Sequence, residues 1–333
     1  MRIEPIDSRQ ANLAGGLSRE EVTGAIELID VYDIEDGARA FLTYLRSLSR
    51  KPLTSSKLAS SFGPDGDVAQ DAVKELYSSL QKARQDGHPR VETLYDEWNR
   101  VFGIVYGEEM GQIQDDRQDF GNVYGVESPE VKPLLFAVHT YYGLLMKMLV
   151  TELLAVVREA PIEEAGLYEP NDDALKRKLR EMEAGQQYEQ AGLYDFFEEG
   201  FFGWYIDEFN TAIATQIRSM AEEMTTFEPA TPTIKSEVVR DILKDLYQDL
   251  VPEVIRHDLG EYLTPDWLAE YIIGETGYDG NGRILDPACG SGTFLVEAID
   301  IIRQNSDREA ENLLDDILNN VVGFDLNPVS VIA

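Results

Sequence analysis

The chain has 333 residues, of which 43% are hydrophobic and three are tryptophan; this composition excludes a disordered chain and predicts a sizeable core. Its single cysteine, Cys289, excludes an internal disulfide and a cysteine-rich zinc site. Acidic residues outnumber basic ones by 62 to 29, for a formal net charge of −33, and they are spread along the whole length.

Helical periodicity dominates the first part of the chain, residues 18–260. Apolar residues three and four positions apart predict helices over 20–48, 71–87 and 91–107, and a longer one follows over 129–157. Segments rich in Pro, Gly, Ser or Thr predict loops at 51–67, 160–172 and 226–236. The last of these loops is the preferred domain boundary, which gives a helical N-terminal region over 1–230.

The most apolar window of the sequence, residues 134–157, is long enough to be compared with a membrane span. His139, Lys147 and Glu152 interrupt it, and this pattern favours a buried helix. The first ten residues show no basic segment followed by an apolar one, so no signal peptide is predicted. We therefore expect a cytoplasmic protein with no membrane partner.

The pattern changes near residue 283. Arg283 to Asp286 is a short apolar strand, and Thr293 to Gln304 is an amphipathic helix with Phe294, Leu295, Ala298, Ile299 and Ile302 on one face. After a short acidic helix, a second buried strand ends at Asp325. This β–α–β order predicts an α/β fold with a parallel sheet.

The stretch LDPACGSGTF, residues 285–294, forms the turn between that first strand and the helix. Gly290 and Gly292 permit a tight turn and close backbone approach, and the helix directs its N-terminal amides at the occupant. The turn lacks the G-x-G-x-x-G and Walker A patterns. An ordinary strand-to-helix connection is the alternative interpretation of the glycine pair. Between the acid and the helix lie Pro287, Ala288, Cys289, Gly290, Ser291 and Gly292.

Two aspartates define the ligand that suits this turn. Asp286 precedes the glycines, so a carboxylate faces the ligand, which favours an ammonium group over a pyrophosphate. Asp325 ends the second strand, where a carboxylate can accept hydrogen bonds from ribose hydroxyls. A ligand with a cationic amino-acid end and a nucleoside end is S-adenosylmethionine.

Three segments carry a resemblance to a known family. Asp286 to Phe294 resembles the cofactor motif of the N6-adenine DNA methyltransferases of restriction–modification and phage-defence systems. Gly260 to Pro265 resembles the G-x-[YF]-[YF]-T-P segment that precedes this motif, with Leu263 as a departure, and Gly323 to Pro328 resembles the element that follows it. Weaker similarity upstream extends to the helical region of type IIG-like enzymes.

The resemblance implies a Rossmann-like S-adenosylmethionine-dependent methylase domain over 231–333, incomplete at its C-terminus, after the helical region. Asp286 and the turn would hold the methionine end of the cofactor, and Asp325 would take the ribose. Thr264 and Pro265 would pack beside them, and Leu326 would flank the adenine or belong to the core. Thr264 is further predicted to cap a helix that begins at Pro265, with the buried face formed by Trp267, Leu268 and Tyr271.

The family holds its flipped adenine with an [Asn/Asp/Ser]-Pro-Pro-[Tyr/Phe] segment. The fourteen prolines of this sequence include no adjacent pair, so that segment is absent from these residues. We expect the chain alone to be catalytically silent, as a truncated product, a subunit completed by a second polypeptide, or a piece cut at an artificial boundary. The alternatives are a non-catalytic cofactor-binding or scaffolding subunit, and a methyltransferase acting on protein or RNA.

The remaining charged residues bear on partners. The acidity favours a protein from a salt-loaded cytoplasm, where screening permits double-stranded DNA as a partner. The basic cluster of Lys176, Arg177, Lys178 and Arg180 is interpreted as a solvated helix face, with phosphate contact as the alternative. Asp116, Asp119, Glu130 and Lys132 have a nuclease-like composition, but a helix start is favoured. His88, His139 and His257 lack ligand spacing, and no metal is predicted.

Overall fold

The computed structural model describes residues 50–106, 117–157, 167, 169–189, 200–228, 264–306 and 310–325. The predicted helix over 20–48 and the boundary at 230/231 lie outside these residues. The described elements fall into a helical part up to residue 228 and an α/β part from residue 264.

The helical part contains eight described α-helices, one 3-10 helix and two very short strands. In chain order they are β1 (Lys51–Pro52), α1 (Ser55–Phe62), α2 (Asp67–Gln85), α3 (Pro89–Tyr106), α4 (Arg117–Val123), α5 (Val131–Val157), α6 (Asp172–Glu183), α7 (Gln186–Glu189), the 3-10 helix (Phe201–Ile206), α8 (Thr211–Met224) and β2 (Phe227–Glu228). β1 and β2 pair in parallel, Lys51 with Phe227. Helices α2, α3 and α5 confirm the predicted ones, with boundaries shifted by a few residues.

Helix α5 forms the centre of the helical core. It packs against α2, α3, α4, α8 and the 3-10 helix. The segment Val131–Ala155 has the length and composition of a membrane span, and 94% of its most apolar window is buried inside the protein. This burial agrees with the prediction of a core helix, and the window is apolar because neighbours surround it on all sides.

Two polar side chains of α5 are buried because they have partners. Lys147 forms an ion pair with Glu183 of α6, and Tyr205 donates a hydrogen bond of 2.9 Å to Oε1 of Glu183. Nδ1 of His139 accepts a hydrogen bond of 3.3 Å from Nε1 of Trp98. Two of the three interruptions of the apolar window are therefore interior contacts between helices, and the third, Glu152, is half-buried.

The predicted loop at 51–67 is partly wrong, because α1 lies within it. Thr54 caps this helix, since its side chain accepts a hydrogen bond from the amide of Lys57, and Leu58 and Phe62 are fully buried. The serine-rich composition, typical of loops, belongs here to the exposed face of a short helix whose burial is set by tertiary contacts.

The α/β part contains α9 (Asp266–Thr276), β3 (Ile284–Asp286), α10 (Thr293–Asn305), α11 (Ala310–Asn320) and β4 (Val321–Gly323). β3 and β4 are parallel, with Ile284 beside Val321 and Asp286 beside Gly323, which confirms the predicted parallel pairing. Helices α10 and α11 form the crossover between them, and α10 packs on both strands and on α9. Ala298 and Ile302 of α10 are buried with Ala269 and Ile273 of α9.

One face of this strand pair is exposed. Leu285 and Val322 are paired neighbours on it, with exposed fractions of 57% and 39%. Leu314 and Leu318 of α11 are also exposed. Two paired strands among the described residues of this part fit an α/β arrangement, and the larger Rossmann-like sheet stays a prediction.

Candidate functional site

The turn between β3 and α10 takes a conformation that requires its glycines. Gly290 has φ of 54° and Gly292 has φ of 83°, both in the left-handed region that side chains with a Cβ disfavour. Gly292 is also the N-cap of α10, without a side-chain cap, and its carbonyl accepts from Val296 at 2.9 Å. The first amides of α10 therefore receive no hydrogen-bond acceptor from the N-cap side chain. They can donate to a ligand instead, and a helix N-terminus favours an anionic group.

Three hydrogen bonds join this turn to the end of β4. The amide of Phe324 donates to the carbonyl of Asp286 at 2.9 Å, and the amide of Cys289 donates to the carbonyl of Phe324 at 2.9 Å. The amide of Gly290 donates to Oδ2 of Asp325 at 2.8 Å. Asp286, the turn and Asp325 thus form one assembly at the carboxyl ends of two parallel strands.

The carboxylate of Asp286 is only half satisfied by the protein. Oδ1 accepts a hydrogen bond from the amide of Ala288 at 3.1 Å, whereas Oδ2 is buried and has no hydrogen-bond partner in the described part of the chain. The hydroxyl of Ser291 in the same turn is in the same state. Buried polar atoms are rarely left this way, because each unmade hydrogen bond costs about 1–3 kcal/mol. Both atoms fit the polar amino-acid end of S-adenosylmethionine, whose ammonium group donates hydrogen bonds.

Cys289 is a packing residue of the turn. Burial, followed by the carboxylates of Asp325 and Asp286, raises the pKa of its thiol, so the side chain stays neutral. The thiol lies close to Gly323: a Cβ atom there would be 2.9 Å from Sγ. This agrees with the interpretation of Cys289 as a small packed side chain.

Gly323 is a residue of the site that the sequence analysis missed. A Cβ atom on it would also lie 2.5 Å from Cδ1 of Leu295, so a glycine lets β4 approach the turn and α10 this closely with Leu295 and Cys289 in their present positions. The available signal was a glycine directly before the acid-bearing end of a strand.

Thr264 and Pro265 are arranged differently from the prediction. Helix α9 begins at Asp266, Pro265 is its N-cap in an extended conformation, and no side chain caps it. The carbonyl of Pro265 accepts from Leu268 at 3.0 Å and from Ala269 at 3.2 Å, so Thr264 lies one residue too early to be the cap. After α9, the carbonyl of Asp279 accepts a hydrogen bond of 3.1 Å from Asn305 at the end of α10.

The predicted buried face of α9 is wrong for Trp267 and Tyr271, whereas its third residue, Leu268, is half-buried. Trp267 is 67% exposed and Tyr271 is 61% exposed, whereas Ala269 and Ile273 are buried. Both pairs have the spacing of four residues, and the close packing of α9 on α10 selects the pair that includes the small side chain. Of the predicted site residues, Leu326 lies outside the described part of the chain.

The other candidate sites have structural explanations where the structure describes them; Asp116 and the side chain of Asp119 lie outside the described part. Glu130 lies just before α5 and accepts a hydrogen bond of 2.7 Å from Gln81, as expected for a solvated helix start. His88 lies 3.7 Å from Glu208, His139 is in the core, and His257 is not among the described residues. Within the described ranges, no group of three or more His, Cys, Asp or Glu side chains is placed to hold a metal ion.

The basic cluster lies on α6, whose buried residues are Leu175, Leu179, Met182 and Glu183. Nζ of Lys176 lies 5.7 Å from the ring centroid of Phe209, and Arg177 and Arg180 are exposed. The cluster is thus the outer face of an amphipathic helix, in agreement with the solvated interpretation.

Comparison with known proteins supports the same assignment for the α/β part. The family model of N-6 DNA Methylase matches residues 238–325, about a quarter of the chain. The match includes all the predicted cofactor residues except Leu326 and supports a relationship to the adenine DNA methyltransferases. Neither the curated proteins nor the solved structures gave a significant match.

Proposed function

We propose that this chain carries the S-adenosylmethionine-binding part of an adenine-specific DNA methyltransferase of a restriction–modification or defence system. The observation that carries the proposal is the buried, unpartnered Oδ2 of Asp286, beside a glycine turn that is hydrogen-bonded to a second aspartate. The family match over 238–325 supports it independently of that geometry.

The residues of the turn have separate roles in this proposal. Asp286 accepts hydrogen bonds from the ammonium group of the ligand, and its negative charge offsets the cationic end. The first amides of α10 face the ligand carboxylate. Asp325 accepts from the ribose hydroxyls in addition to the Gly290 amide. Thr264 and Pro265, at the start of α9, cover the side of the same pocket.

When bound, S-adenosylmethionine supplies an electrophilic methyl group on a sulfonium that leaves as a neutral thioether. The part played by this chain is orientation of the ligand and exclusion of water from the turn. The adenine pocket needs a polar side chain and an aromatic ring, which the family takes from the [Asn/Asp/Ser]-Pro-Pro-[Tyr/Phe] segment. No two prolines are adjacent in this sequence, so these residues do not supply that pocket; a second polypeptide or a further segment of the same polypeptide would supply it.

The exposed strand face supports a partner polypeptide. Parallel strands are normally covered on both faces, and Leu285 and Val322 leave one apolar face open. A polypeptide that completes the sheet would cover these side chains and bring the base pocket to the turn. Double-stranded DNA would be bound mainly by that completed assembly, because the net charge of −33 disfavours DNA binding by this chain alone at low salt.

The experiment measures cofactor binding and methyl transfer separately. The purified chain should bind S-adenosylmethionine in equilibrium dialysis and transfer no labelled methyl group to DNA. Adding a polypeptide that carries the missing segment should produce N6-methyladenine. Binding without transfer under both conditions would favour the alternative, a non-catalytic cofactor-binding subunit, and the absence of binding would contradict the proposal.

A further inference from the structure

The hydrogen bond between Gly290 and Asp325 connects two ends of the proposed cofactor site. Gly290 lies in the turn assigned to the methionine end, and Asp325 follows β4, 35 residues later, on the side assigned to the ribose. The bond of 2.8 Å has a carboxylate as its acceptor, and such charge-assisted bonds are stronger than neutral ones.

The backbone conformation of Gly290 has to be fixed by contacts with the rest of the protein. A glycine loses more conformational freedom on ordering than any other residue, and Gly290 adopts φ of 54°. A Cβ atom at Gly290 would meet no atom within 4 Å, so packing of neighbouring side chains does not fix this position. The hydrogen bond from its amide to the Asp325 carboxylate holds it in place.

We propose that Asp325 is a positioning residue for the methionine end of the site, in addition to accepting the ribose. Its carboxylate holds the Gly290 amide and thereby fixes the turn between Asp286 and α10 before any ligand arrives. The ligand part of this inference rests on the proposed function. A consequence is that Asp325 matters even for a ligand that has no ribose.

The single cysteine of the chain allows a direct measurement. Labelling with carbonyl-¹³C cysteine and ¹⁵N glycine gives one carbon–nitrogen correlation, from Cys289 to Gly290, because the sequence contains no other cysteine. The amide hydrogen of Gly290 can then be followed alone. Held by a carboxylate, it should resonate downfield and exchange slowly with solvent.

Three variants separate positioning from loss of fold. Asp325→Ala should raise the exchange rate of the Gly290 amide by about tenfold and move its resonance upfield. Asp325→Asn, whose side-chain oxygen still accepts a hydrogen bond, should restore part of the protection. Asp286→Ala, which removes a carboxylate bonded to Ala288 instead, should leave the Gly290 amide protected. Exchange of Gly290 that is unchanged in Asp325→Ala would overturn the proposal.

The ligand arm uses S-methylmethionine, a sulfonium amino acid without a nucleoside. Its binding, read from the Gly290 resonance, should weaken about five- to tenfold in Asp325→Ala. Equal binding of S-methylmethionine by wild type and Asp325→Ala would mean that Asp325 acts only on the ribose. That result would overturn its proposed role in positioning the methionine end. If wild type responds to neither S-methylmethionine nor S-adenosylmethionine, the proposed function fails, while the exchange measurement still decides how the turn is held.

Discussion

Gly323 lies so close to Cys289 that a Cβ atom on it would stand 2.9 Å from Sγ. The same atom would stand 2.5 Å from Cδ1 of Leu295, so an alanine at this position requires the side chains of Leu295 and Cys289, or β4 itself, to shift. The three hydrogen bonds between β4 and the turn depend on that approach.

Replacing Gly323 with alanine should therefore destabilise the α/β part. Overpacking of this kind costs about 1–3 kcal/mol of the free energy of unfolding, measured by urea denaturation. Gly274→Ala is the matched control, because a Cβ atom at this exposed position of α9 meets nothing within 4 Å. That control should be neutral or stabilising by up to about 1 kcal/mol. Equal stability of both variants would show that the turn can yield to the extra methyl group.

The ion pair of Lys147 and Glu183 gives a prediction for the helical core. Both residues are 4% exposed, so Lys147→Met leaves an uncompensated carboxylate in the interior. We expect a loss of about 3–5 kcal/mol in the free energy of unfolding. Adding Glu183→Gln should recover much of this loss, because glutamine is neutral and still accepts the hydrogen bond from Tyr205. A double variant no more stable than Lys147→Met would contradict this explanation.

His139 should make the protein sensitive to acid. Burial lowers its pKa from 6.5 to about 3, so below pH 6.5 the unfolded chain binds a proton that the folded chain excludes. Stability from this group is complete above 6.5 and is lost as the pH falls toward about 3, with a slope of at most about 1.4 kcal/mol per pH unit. His139→Gln, which keeps an acceptor for Trp98, should remove this slope in urea titrations at several pH values.

Glu152 changes stability with pH in the direction opposite to His139, so the two contributions have to be measured separately. Burial raises its pKa from 4.5 to about 7, with Arg50 opposing the shift, so its contribution is present at low pH and is lost as the pH rises through this range. The His139→Gln comparison should therefore be repeated in a Glu152→Gln background. In each background, the free energy of unfolding is measured against pH with His139 and with glutamine at position 139. If the slopes are the same for the two residues in both backgrounds, His139 is not the titrating group.

The open strand face should cause self-association of the isolated chain. Leu285→Thr with Val322→Thr replaces two exposed apolar side chains and keeps strand-favouring residues, so it should reduce dye binding and association in light scattering. The change in stability should stay within about 0.5 kcal/mol per site. Ile284→Thr, on the opposite face, is the control and should destabilise the protein. Unaltered association in the double variant would mean that this face does not mediate self-association.

The sequence predicted the parts of the site that follow from local rules. The order strand, glycine turn, helix and second strand placed Asp286 and Asp325 at neighbouring strand ends, and the parallel pairing of β3 and β4 agrees. Glycine spacing and the carboxyl-end rule for α/β sheets were sufficient for that.

Contacts between elements could not be predicted in the same way. The apolar spacing of α9 fits two faces equally well, and its packing on α10 decided for Ala269 and Ile273 over Trp267 and Tyr271. The helix starts at Asp266, one residue later than predicted, because the Pro265 carbonyl accepts the first hydrogen bonds of the helix. The tight fit around Gly323 arises from an approach between strand and turn that no local pattern encodes.

The role of Asp286 is tested most directly by calorimetric titration of S-adenosylmethionine, performed in high salt to screen the net charge of −33. Wild type should bind, and Asp286→Asn should bind at least about tenfold more weakly, because its side chain loses the charge that faces the ammonium group. Asp315→Asn, which removes the same charge from the exposed side of α11, should bind as wild type does. Equal affinity of wild type and Asp286→Asn, or no binding by wild type, would contradict the assignment of this turn as the cofactor site.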